Sequence, residues 1–192
     1  MIQNNAEEKI LNAALNVVAK YTISNTRMHL IAEEAGMVTS NLHYYYETKQ
    51  DLLLALLPKL NQDATKIRSN YNKDGLSIAG RVDSFFQEKK NQIKSHPEYD
   101  YVQIDFWSLG RIDEKIRQQI SDTNIQWSHD IVESFREKLP NTSSEKLELL
   151  SKVMMGMMYG AAIQYLNEEQ WIDLDSYFDL CIDLILNYLY RF

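Results

Sequence analysis

Apolar residues recur at helical spacing along the whole chain, and very little interrupts them. Ile10, Leu11, Ala14, Leu15 and Val18 share one helical face, and so do Ile78, Val82, Phe85, Phe86 and Ile93. No segment alternates apolar and polar residues in the strand manner between turn residues. Only three prolines and six glycines are present in 192 residues, so long helices can run unbroken. The expected class is therefore all-α.

Capping residues set the expected limits of the elements. A first helix is expected over residues 5–20, then a short polar loop over 22–25. Thr26 is the expected N-cap of a second helix that turns Met28, Ile31, Ala32 and Ala35 inward. Gly36 stops that helix, and a third, short helix covers about 38–45. Thr48-Lys49-Gln50-Asp51 is a Thr-x-x-Asp relative of the capping box and opens a fourth helix, about 48–70. Pro58 lies inside that helix, where it removes a backbone hydrogen bond and should bend or break it. The polar stretch 70–75 is a candidate junction. Five more helices are expected, over about 76–94, 98–109, 113–139, 144–166 and 174–190. Pro97 sits in the first turn of the second of these, Asp113 caps the third, and Thr142-Ser143-Ser144-Glu145 forms a capping box for the fourth.

Charge narrows the function classes without choosing one. The net charge is −7. Lys and Arg balance Asp and Glu over residues 1–74, so all the excess acid falls in 75–192. A neutral N-terminal module can approach phosphate while an acidic body stays away from it. The single cysteine, Cys181, excludes an internal disulfide and fits a reducing compartment. The start of the chain lacks the apolar core of a secretory signal, and the most apolar stretch, 153–166, is shorter than the ~20 residues a membrane span needs. A cytoplasmic protein without membrane contact is expected. No nucleophile motif, phosphate loop or metal-ligand spacing is visible, so neither an enzyme nor a cofactor is expected.

Three short helices with a glycine turn between the second and third make a helix-turn-helix, over about 26–46. Leu42 and Tyr46 lie four apart and, with Val38, can pack on Ile31 and Ala35. The opposite face of the third helix then shows Thr39, Ser40, Asn41, His43, Tyr44 and Tyr45, with no acid among them. Such groups can bond base edges and phosphate oxygens without repulsion.

Over residues about 7–57 the sequence resembles the TetR family of regulators. The resemblance is carried by Ile10 with Ala13-Ala14-Leu15, by Thr26-x-Met28, by Ile31-Ala32-x-x-Ala35-Gly36, and above all by the run from Ser40 to Leu52. It implies that Thr26 is a phosphate-contacting cap, with Arg27 beside it in the DNA contact surface. It also implies that Thr39, Ser40, Asn41 and Tyr44 face bases or nearby backbone. His43 and Tyr45 fall at phosphate-contacting positions, and Lys49 matches a lysine at the fourth helix's N-terminus, where the dipole also favours phosphate. Three residues depart from the pattern. Val38 replaces a capping serine, Thr22 stands where glycine is usual, and Tyr46 replaces a phenylalanine.

The expected division is a DNA-binding domain over 1–48 and a ligand-binding and dimerisation domain over 49–192, joined by the fourth helix. Around Met154-Met155-Gly156-Met157-Met158 two readings stay open: ordinary core, or an adaptable pocket. In the second reading Phe86, Tyr101, Phe106, Trp107, Trp127, Met155, Met158 and Tyr159 would line it. The ligand would be small and apolar or aromatic, with Asp105, Gln103 or Gln164 to orient it, and a cation could sit over Trp107 or Trp127. The resemblance and operator symmetry imply a homodimer on a palindromic double-stranded operator. The last two helices would pair across the two-fold axis through Ile163, Leu166, Tyr177, Leu180, Leu184 and Tyr188. The function expected is a DNA-binding regulator, a repressor released by a small ligand. The alternatives are a small-molecule binding protein and a partner-regulated DNA-binding protein without a pocket.

Overall fold

The computed structural model describes residues 2–71, 75–168 and 172–190. Residues 72–74 of the expected junction at 70–75, and Glu169, lie outside the described residues. The described residues form helices with no strand: α1 (Ile2–Asn25), α2 (Met28–Glu34), α3 (Thr39–Tyr45), α4 (Lys49–Tyr71), α5 (Ile78–Ser95), α6 (Pro97–Gly110), α7 (Glu114–Arg136), α8 (Ser144–Glu168) and α9 (Leu174–Leu189).

The expected caps form with small shifts. The Thr48–Asp51 box closes reciprocally: Thr48 N donates to Asp51 Oδ2 at 3.0 Å and Asp51 N to Thr48 Oγ1 at 3.1 Å. Asp113 accepts from Ile116 N at 3.1 Å, and α9 adds a cap not expected from the sequence, Asp173 accepting from Ser176 N at 3.3 Å. At the start of α8 the cap is Ser143 rather than Thr142, since the Ser143 carbonyl takes the first helical bonds, from Lys146 and Leu147. Helix α7 ends at Arg136, a few residues short of the expected 139.

Residues pack into two compact units. The first combines Met1–Asp63 with Glu98–Ser121, and the second combines Ala64–Pro97 with Asp122–Phe192. The first unit buries Ile10, Ala14 and Val18 of α1 with Ile31, Ala32 and Ala35 of α2, Leu42 of α3, and Leu52, Leu53, Leu56 and Leu57 of α4. Val102 and Phe106 of α6 and Ile116 of α7 complete this core. The second unit buries Val82, Phe85, Phe86 and Ile93 of α5 with Trp127, Ile131 and Phe135 of α7, Met154, Met155 and Met158 of α8, and Phe178, Cys181 and Ile185 of α9. Ser128 and Ser151 hydroxyls pair inside this core at 2.6 Å, and Lys90 holds Asp175 at 2.7 Å, joining α5 to α9.

Of the two expected effects of Pro58, a break does not occur, and α4 runs through it. The missing N–H leaves the Leu54 carbonyl without its helical donor. Gln119 of α7 supplies the replacement, with its Nε2 donating to the Leu54 oxygen at 3.2 Å. Removing this donor leaves the carbonyl unsatisfied, so Gln119→Ala should lower stability by about 1–2 kcal/mol. In a Pro58→Ala background the restored backbone N–H satisfies Leu54, and the cost of the same change should shrink by about 1 kcal/mol. A double-mutant cycle in urea measures this, and strict additivity would overturn the assignment.

Candidate nucleic-acid interface

Gly36 makes the turn of the helix-turn-helix. Its φ of 61° is in the left-handed region that favours glycine. Gly36 N donates to the Glu33 carbonyl and Met37 N to the Ala32 carbonyl, both at 2.9 Å, which is a Schellman closure. The closure brings α3 against α2 through Leu42, which is fully buried.

On α3, the solvent side is the one expected. Ser40, Asn41, His43 and Tyr44 are exposed, and Thr39 and Tyr45 are half-buried. Tyr44 is 77 % exposed and meets the Tyr45 ring edge-on at 5.3 Å, so its phenol is held outward by a neighbour. His43 Nδ1 lies 3.0 Å from the Glu47 carbonyl, which only accepts. Nδ1 therefore carries the proton, and Nε2 is the nitrogen turned to partners. Val38 is the N-cap residue and offers no capping oxygen. It is 69 % exposed, so the expected packing of Val38 on Ile31 and Ala35 is corrected, and Leu42 carries that contact. Tyr46 is half-buried, and burial first, then the Glu7 charge, pushes its phenol pKa up.

The corner before α2 differs most from expectation. The expected loop over 22–25 is instead a helical turn set off by Thr22, at φ 66° and ψ 160°. That conformation is strained for any residue with a Cβ, and it falls where the related pattern has glycine. The surrounding groups hold it. Thr22's carbonyl accepts from Thr26 N at 3.1 Å and from Thr26 Oγ1 at 2.7 Å. Ile23 N, freed by the break, donates to Asp105 Oδ2 of α6 at 2.7 Å. Lys49 Nζ donates to the carbonyls of Ile23 at 2.9 Å and Thr26 at 3.2 Å. Arg27 Nη1 donates to the carbonyls of Ser24 at 2.9 Å and Thr26 at 3.2 Å.

This network changes three expected roles. Thr26 is not the N-cap of α2. Arg27 occupies that position, while the Thr26 side chain is fully buried with its hydroxyl committed to Thr22. A direct phosphate contact by that hydroxyl is therefore corrected to a positioning role. Lys49 and Arg27 converge on the Thr26 carbonyl, so two cations are fixed at one corner. Burial, then the Arg27 charge, lowers the Lys49 pKa. Asp105, expected as one candidate for orienting a ligand, instead commits Oδ2 to the Ile23 amide. Its role had no signal in the linear sequence beyond an acid between the apolar residues Ile104 and Phe106.

The residues expected to line one pocket divide between the units. Phe106 is fully buried in the first unit's core, and Tyr101 and Trp107 belong to the same unit. Tyr101 is exposed. Phe86, Trp127, Met155, Met158 and Tyr159 belong to the second unit. Phe86 packs on Phe178 at 5.6 Å, as core. Trp127 cannot take a ligand cation on the face that Arg68 covers, 5.3 Å from the ring centroid. A separate groove of about 560 Å³ on α1 and α2 is lined by Glu33 and Glu34 as well as Lys20, which makes it a poor phosphate cradle.

Residues 10–56 match the family model described as bacterial regulatory proteins, tetR family. The HTH-type transcriptional regulator RutR of Escherichia coli K12 is 37 % identical over 54 residues, 28 % of this chain and 26 % of RutR. The match thus spans about a quarter of the curated relative's length. Among solved structures, a Saccharomonospora viridis transcriptional regulator in complex with choline is 21 % identical. It covers 95 % of this chain and 96 % of its own, with a TM-score of 0.78. The Bacillus subtilis regulator FadR in complex with stearoyl-CoA is 16 % identical, covers 93 % and 96 %, and has a TM-score of 0.74. These structural likenesses establish the fold.

Two outcomes test the local physics. Thr22→Gly should raise stability by about 1 kcal/mol in thermal melts, because relief of backbone strain outweighs the loss of exposed hydroxyl contacts to Ser24 and Asn25. A lowered melting temperature would contradict the strain. In the second unit, burial raises the Glu88 pKa from 4.5 to about 7, against the opposing charges of Arg68 and Lys89. The folded state then binds this proton more tightly than the unfolded chain does. Stability is fullest below the unfolded value and falls as pH rises toward 7. Glu88→Gln should therefore be more stable than the parent at pH 8, by up to about 3 kcal/mol, and should lose that advantage near pH 5. Denaturant titrations at the two pH values measure it.

Proposed function

We propose that this chain, whose N-terminal residues 10–56 belong to the TetR family of bacterial regulatory proteins, is a dimeric, ligand-responsive, sequence-specific DNA-binding regulator that acts as a repressor in the cytoplasm. The observation that carries the reading is the acid-free outer face of α3, where Ser40, Asn41, His43 and Tyr44 are exposed opposite the buried Leu42. Such a short helix, anchored on one side and polar on the other, suits the major groove. Residues 1–48 are the proposed DNA-contacting part and 49–192 the ligand and dimer part. Asn41 and Tyr44 reach bases, while Thr39, Ser40, His43 and Tyr45 meet bases or backbone. Arg27 and Lys49, already fixed at the corner, supply positive potential to a phosphate.

A partner copy has a natural place on α8 and α9. Leu149, Val153, Gly156, Gly160 and Ile163 follow one helical stripe, and Leu149, Val153 and Ile163 are exposed. Gly156 has nothing near its Cβ position, so the chain's own packing gives no reason for a glycine that costs about 1 kcal/mol in a helix. Close approach by a second helix would supply one. On α9 Leu180 and Leu184 are exposed too. Tyr177 serves its own chain, donating to the Met157 carbonyl at 3.1 Å.

A dimer would set two α3 helices about 34–36 Å apart on a palindromic operator. A ligand with different affinity for two spacings then shifts operator binding. Selection from random DNA should return a palindrome. Asn41→Ala and Tyr44→Ala should each cost about 1–3 kcal/mol of specific binding. Arg27→Gln should weaken binding to all sequences and reduce the salt slope by about one. Leu180→Glu with Leu184→Glu should give a helical monomer in sedimentation, whose operator affinity falls to the non-specific range of roughly 10⁻⁴–10⁻⁶ M. Recovery of unrelated sequences in the selection would sink the reading.

A further inference from the structure

The second unit encloses a polar cluster drawn from four helices. Arg68 of α4 lies over the Trp127 ring of α7 and donates to Thr65 Oγ1 at 2.9 Å. Trp127 packs edge-on against Tyr159 of α8 at 5.4 Å. The Tyr159 hydroxyl in turn donates to Asn124 Oδ1 at 3.2 Å. Glu88 of α5 is 4 % exposed and feels the Arg68 charge. Trp127 is nine-tenths buried, and its Nε1–H is closed off from water without an acceptor among the described residues.

Two features of this cluster fix the sign of what it can receive. An enclosed N–H with no partner costs the desolvation of the group, and an arriving acceptor recovers it. The ring face that would attract a cation is already covered by a guanidinium, which repels a second cation and presents a fork matched to a carboxylate. Burial raises the Glu88 pKa to about 7, so this neighbour brings less opposing charge than an ordinary carboxylate would. The methionines in the same core, Met155 and Met158, are flexible enough to part for an apolar body.

We propose that this cluster receives the carboxylate end of an otherwise apolar ligand, with Arg68 and Trp127 Nε1 as donors and the Trp127 and Tyr159 rings beside it. The inference rests on the ligand-responsive reading above and replaces the expectation of a cation over Trp127. One carboxylate oxygen faces the guanidinium and the other faces the indole N–H.

The test uses the full-length protein and matched probes: phenylacetate against benzyltrimethylammonium, and octanoate against octyltrimethylammonium, by calorimetry and thermal shift. Each carboxylate should bind more tightly than its cationic partner. Arg68→Gln should weaken carboxylate binding about tenfold or more, and Trp127→Phe several-fold, in proteins that keep cooperative melting. If Arg68→Gln does not fold, Arg68→Lys serves instead and should retain part of the affinity. The proposal is overturned if neither carboxylate binds, if the cations bind as tightly, or if the folded Arg68 variant binds like the parent. Carboxylate binding that leaves affinity for the selected operator unchanged would keep this site and remove the ligand-responsive reading. Operator binding without carboxylate binding would do the reverse.

Discussion

The surface proposed to face DNA depends on one strained corner. Thr22 adopts a backbone conformation that a residue with a Cβ resists, and the chain turns there from α1 toward α2. Local forces would not hold it. It persists because both sides of the Ile23 peptide are gripped from a distance, the amide by Asp105 and the carbonyl by Lys49. With the corner fixed, α2 starts at one place. The glycine closure at 36 then sets where α3 lies, and Leu42 locks it. The direction of the outward face of α3 therefore depends on a carboxylate 82 residues away from the amide it anchors.

Helix α4 shows a related economy. Its start is secured by a reciprocal cap and its length by a run of buried leucines, yet it carries a proline in its interior. The defect is local, a single carbonyl without a donor, and Gln119 repairs it from another helix. Two side chains from elsewhere in the chain, Asp105 and Gln119, thus complete backbone hydrogen bonding that the N-terminal helices cannot complete alone. Polar side chains do this better than apolar ones, because an unpaired backbone group in a core costs more than the net value of the bond.

Much of this was legible in the residues. The helical class, the order of the elements, the Thr48–Asp51 box, the Asp113 end and the glycine turn follow from short-range rules, and those rules act within four residues. The outward set on α3 was legible for the same reason, since Leu42 can face the core only if Ser40, Asn41, His43 and Tyr44 do not. Thr22 was visible as an anomaly, a threonine where glycine is usual, although its φ was not. The errors share a cause. Thr26 reads as a cap from its type and place, but the Thr22 carbonyl, set by the strained corner, claims its hydroxyl. Phe106 and Trp127 read alike as aromatic lining, but they pack in different units.

The sequence by itself determined the helices, their caps and which face of each is apolar, because periodicity and capping are local properties of the chain. Tertiary structure decided which polar side chain meets which backbone group, how α6 joins the N-terminal core, and that Arg68 covers a face of Trp127. Those are long-range pairings between residues tens of positions apart. They are chosen by the need to satisfy every buried donor and acceptor at once, a condition that no short window of residues contains.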